Sequence, residues 1–125
     1  MQLTHYLLHW EKSLNGGVYP DEYASYISLN LTRFNRITKT FSPSQAFIDL
    51  ASDVKKKSHW IIITEPWCGD AAQNIPIINK IAEENENIEL KLVLRDENPE
   101  LINEFLTNGN QSIPKLIQIE DGKVT

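Results

Sequence analysis

The chain has 125 residues, enough for one domain with its own core and too few for two ordinary ones. A hydrophobic fraction of 41%, with Trp, Tyr and Phe spread along the chain, excludes a disordered composition. The net charge of -5, against a single basic run at Lys55-Lys56-Lys57, argues against a nucleic-acid partner, and that run is expected to neutralise a helix C-terminus.

Leu3, Tyr6, Leu7, Trp10 and Leu14 fall at helical spacing before the stop Asn15-Gly16-Gly17, so the first element is an amphipathic helix over residues 2–14. From Asp21 to Ile37 the set Tyr23, Tyr26, Ile27, Leu31, Phe34 and Ile37 repeats the same period, with Asp21 as cap. Ser42-Pro43 followed by Gln45 predicts an N-cap, a proline in the first turn and a capping-box partner, with Phe47, Leu50, Ala51 and Val54 on one face of a third helix.

The pattern then changes. His59-Trp60-Ile61-Ile62-Ile63-Thr64 is a short β-branched run of the kind that forms a strand buried on both faces. Glu65-Pro66-Trp67-Cys68-Gly69 breaks it, and Ala72, Ile75, Ile78, Ile81 and Ala82 mark a helix kinked at Pro76. Ile88 to Leu94 alternates as a second strand, parallel to the first if the connection is a crossover. Asn98-Pro99 opens another helix with Leu101, Ile102, Phe105 and Leu106 inside and Gly109 as its C-terminal cap. Ile113-Pro114 leads into the strand Lys115–Glu120, and Asp121-Gly122 turns a hairpin into Lys123-Val124. The expected organisation is one domain over residues 1–125, with a helical part at 1–58 and a βαβαβ core at 59–125.

No stretch approaches the length of a bilayer span, and the N-terminus, interrupted by His5, His9 and Glu11, lacks the basic start and apolar core of a signal peptide. No membrane partner is expected, and the location expected is the cytoplasm. One cysteine excludes an internal disulfide framework and any zinc site built on paired thiolates. His5 and His9 share a helix face but have no third ligand, so no metal and no other cofactor is expected. Asp96 and Glu97 read as helix-start charges, and Arg95 as the partner of a nearby carboxylate.

Residues 59–124 resemble thioredoxin through five features in register. Trp67-Cys68-Gly69 is similar to the start of the family's W-C-G-P-C signature, Pro76 to its helix-kinking proline, and Ile113-Pro114 to its cis-proline step. Asp96-Glu97-Asn98-Pro99 resembles the loop after its third strand, and Glu120-Asp121-Gly122-Lys123-Val124 its last hairpin. Thr64 to Asn74, with Leu94 to Asn98, resembles more closely a group of bacterial thioredoxin-like proteins with a helical N-terminal part. The implied fold is α/β, three layers α/β/α, with N-terminal helices. The last edge strand and C-terminal helix of thioredoxin are absent or truncated: either the chain is cut short there, or the missing edge is supplied by something else, such as helix one or a second copy, the last of which would give a homodimer.

The departures bear on function. Ala71 stands at the resolving cysteine, Asp70 at the family's proline, and Ile62 at its buried aspartate. A thiol attacks a disulfide as its thiolate, which a helix N-terminus favours and a negative Asp70 opposes. The resemblance implies Cys68 as the catalytic nucleophile, with Trp67, Gly69, Asp70, Ile113 and Pro114 lining a substrate groove. With no second cysteine, an external thiol such as glutathione must resolve the mixed disulfide. The expected function is monothiol thiol-disulfide exchange on a protein or low-molecular-weight substrate. The other readings are a redox-silent module that binds peptides or proteins in the same groove, and Cys68 as a small core hydrophobe. Peroxide reduction fits poorly, because Glu65 stands where peroxidases of this fold place a threonine.

Overall fold

The apolar stripes and runs fold, in a computed structural model describing residues 1–124, into helices α1 (Leu3–Ser13), α2 (Ala24–Thr40), α3 (Gln45–Ser52), α4 (Gly69–Glu83) and α5 (Pro99–Glu104) and strands β1 (Ser58–Thr64), β2 (Ile88–Leu94), β3 (Lys115–Glu120) and β4 (Lys123–Val124). The sheet order is β2-β1-β3-β4. β1 runs parallel to β2, pairing Ile62 with Leu92, and antiparallel to β3, pairing Ile62 with Leu116. None of the described helices is long and apolar enough to cross a membrane.

Strand alternation divides the core between two faces. Ile62, Leu92 and Leu94 meet Tyr6 and Trp10 of α1, Ile27 and Phe34 of α2, and Ala71, Ala72 and Ile75 of α4. Trp10 packs edge-to-face on Tyr6 and on Phe34, with centroids 5.5 and 5.3 Å apart, and its indole N–H donates to the Ile27 carbonyl at 3.0 Å. The opposite face sets Ile63 and Ile117 against Ile102 of α5. Pro76 lies within α4 and is buried, so the Ala72 carbonyl lacks its usual i+4 partner.

Several sequence expectations are corrected. Asp21 does not cap a helix: Asp21–Tyr23 forms a 3-10 turn ahead of α2, because Pro20 fixes the chain before it. Ser42 does not cap α3 either. Ser44 stays extended, its hydroxyl accepts the Phe47 N–H at 3.4 Å, and Gln45 donates to Asp49 rather than reaching back. Of the face predicted for it, only Ala51 of α3 and Val54 just beyond its end turn inward, against Ala82 and Ile88, which leaves Phe47 and Leu50 exposed. Leu14, Tyr26 and Leu106 are likewise exposed.

Gly109 does not cap α5, which ends at Glu104. Asn108 and Gly109, at φ 52° and 80°, form a tight two-residue turn bridged by Thr107 and Asn110. The lysine run caps no helix: Lys56 pairs with Asp121 at 3.1 Å and Lys57 with Glu89 at 4.0 Å. Nor does helix one supply the β4 edge. Met1 sits at the other edge, exchanging two 2.7 Å backbone hydrogen bonds with Leu92 of β2.

Candidate functional site

β1 ends at Thr64 because the next two residues cannot continue it: Glu65 turns its carboxylate inward and Pro66 has no N–H for the ladder. Asn30, a buried residue of α2, donates to the Pro66 carbonyl at 3.2 Å and so ties this turn to the N-terminal helices. Cys68 then sits extended at the N-cap of α4 and its carbonyl accepts the first helical bond, from Ala72. The half-buried thiol donates to the Ile113 carbonyl at 3.6 Å. The Ile113-Pro114 bond that follows is cis.

Trp67 is held on two sides. Tyr23 stacks on it with centroids 5.4 Å apart, and the Arg95 guanidinium lies 5.0 Å from the ring centre. Arg95 also pairs with Asp96 at 3.1 Å. Of the residues expected to form the groove, the structure gathers Trp67, Cys68, Gly69, Ile113 and Pro114. Asp70 is exposed in the first turn of α4, where its carbonyl accepts from Asn74. Ala71 and Ile62, at the positions of the missing cysteine and acid, are both sealed in the hydrocarbon core.

Sequence reasoning missed a polar chain beside the motif. Glu65 accepts the Tyr19 hydroxyl at 2.8 Å, and Tyr19 stands 2.8 Å from His9 Nε2. A tyrosine that gives its one proton to Glu65 must accept from His9, which places the imidazole proton on Nε2. Burial pushes the Glu65 carboxyl up to about 6, against the lowering hydrogen bond from Tyr19. The Tyr19 phenol is pushed up by burial and then by that same bond. Alongside, the Tyr6 and Thr64 hydroxyls share a 3.3 Å hydrogen bond, and burial raises the Tyr6 phenol. A carboxylate directly after an apolar strand is the one signal in the sequence that pointed here. His9 is thus held by Tyr19, while His5, on the same helix, is exposed.

A family model described as Thioredoxin matches residues 17–125. α1 precedes that segment and still contributes Tyr6 and Trp10 to the shared core. Two solved structures are similar in fold: a protein of unknown function from Pseudomonas aeruginosa and an HIV epitope-scaffold, each 14% identical with a TM-score of 0.60 and each matched over 86% of this chain. The chain spans 63% of the first and 64% of the second. On the family match and the site's arrangement together, the chain belongs to the thioredoxin family.

Proposed function

We propose that this protein is a monothiol thiol-disulfide oxidoreductase acting through Cys68. The observation that carries the reading is the placement of a half-buried thiol at the N-cap of a fifteen-residue helix, with its sulfur 3.6 Å from the Ile113 carbonyl. Backbone N–H groups at a helix start favour an anion, and the segment at Ile113 offers main chain beside which an extended substrate can lie.

In the first step the Cys68 thiolate attacks one sulfur of a substrate disulfide; a Cys68–S bond forms, the substrate S–S bond breaks and the second sulfur leaves as a thiolate. A second, external thiolate then attacks the substrate sulfur of the mixed disulfide. Cys68 departs as thiolate and a new disulfide forms outside the protein. Ala71 offers no sulfur for an internal second step, so a pool of small thiols, as in cytoplasm, supplies it.

Intact mass measurement after incubation with oxidised glutathione tests this. Wild type should carry one glutathione per chain, removed by excess reduced glutathione, and Cys68→Ser should carry none. Absence of the adduct, or an adduct that reduced glutathione leaves in place, overturns the reading. The sealed, apolar surroundings of Ala71 and Ile62 favour the second reading, a redox-silent binding module, in which Cys68→Ser binds its peptide or protein partner as wild type does.

A further inference from the structure

We propose that the cleft beside the motif seats a carboxylate-bearing low-molecular-weight thiol or disulfide, held by the Arg33 guanidinium. The chemistry of such a ligand rests on the reading of Cys68 above; its binding does not.

The cleft, of about 380 Å³, opens between α2 and the start of α4 and is lined by Tyr23, Tyr26, Asn30, Arg33, Trp67 and Gly69. That volume is at the small end of the range for ligand sites and suits a molecule the size of a short peptide. Trp67 and Gly69, which line the cleft, flank Cys68 in the chain, so a ligand seated here lies beside the residue that carries the thiol.

Arg33 is half-buried and, among the described residues, has no carboxylate within ion-pairing distance. Among those residues the guanidinium has one hydrogen-bond partner, Asn30 Oδ1 at 3.4 Å. Asn30 is itself fixed by its bond to the Pro66 carbonyl, so it aims the guanidinium at the motif: Nη1 lies 3.7 Å from where a β-carbon on Gly69 would stand. Most of a five-donor fork is therefore left for a ligand, in a shape that matches a carboxylate. Asp70, the acidic residue next to Gly69 in the chain, is exposed and does not pair with it. Arg95, the other cation at the motif, is already engaged with Asp96 and the Gln111 carbonyl. Tyr26, 57% exposed, and the stacked Tyr23–Trp67 pair supply flat walls for peptide planes and aliphatic stems.

S-methylglutathione cannot exchange, so its titration into Cys68→Ser, followed by the NMR shift of the Trp67 indole N–H, reads binding alone. Saturable binding is expected, about tenfold weaker when Arg33→Gln is added, as suits loss of a charge-assisted pair, and unchanged by Arg36→Gln. The same ligand amidated at both carboxyls should bind about tenfold more weakly to the Arg33 form and no longer distinguish it from Arg33→Gln. No saturation, or equal affinity with and without Arg33, overturns the proposal. Cys68→Ser has no thiol to react, so the glutathione adduct on wild type decides the redox reading separately.

Discussion

Glu65 is 1% exposed, and its carboxyl is raised by burial from 4.5 to about 6. The folded protein therefore holds a proton that the unfolded chain releases between those values. The stability this contributes is complete below about pH 4.5 and lost as pH rises through 6. The displacement corresponds to about 1–2 kcal/mol, the lower figure allowing for solvent screening. Urea unfolding across pH 4 to 7 checks it: the stability of wild type relative to Glu65→Gln should fall by that amount as pH rises. A flat difference, or one that grows with pH, contradicts the assignment. Neither Glu65 nor Asn30 could be read as part of a network from sequence. Their partners, Tyr19 and the Pro66 carbonyl, lie 46 and 36 positions away, and chain folding alone brings them together.

At the scale of elements, the strands and long helices were legible because their apolar residues repeat with the periods that packing requires. Ile88, Leu90, Leu92 and Leu94 do turn to one face, and the Asp121-Gly122 turn, at φ 52° and 75°, joins β3 to β4 as its composition demands. The helix ends were less legible. Two serines flank Pro43, and only the backbone angle of Ser44 decides which of them caps α3. Asn108-Gly109 makes a hairpin-type turn, although its composition suits a helix stop equally well, since both need positive φ at glycine. α1 gives the element-scale prediction. Trp10 is fully buried among Tyr6, Ile27 and Phe34, so Trp10→Ala should cost about 3–5 kcal/mol in chemical denaturation. A cost below about 1 kcal/mol, typical of surface substitutions, would show α1 to be a loosely attached extension.

For the whole molecule, the fold and the place of the cysteine were readable because W-C-G, Pro76 and Ile113-Pro114 are widely spaced yet in register. The wall of the cleft was not, because Tyr26 and Arg33 look like ordinary members of a helical face. The N-terminal helices and the sheet share one core, which predicts one cooperative unit. In native-state hydrogen exchange, Trp10→Ala should lower the protection of β1 and β2 amides by the same free energy as those of α1. Loss confined to α1 and α2 would mean two independently unfolding parts.

Asn30 grips the motif loop from a helix that carries none of the motif. A ligand seated in the cleft beside the motif would meet side chains encoded some forty residues upstream, on the part of α2 that does not enter the core. Under the function proposed for Cys68, selectivity and reactivity would be written in separate stretches of the chain. Exchanging the exposed residues of α2 while keeping Asn30 would give a family of proteins with one chemistry and many clients.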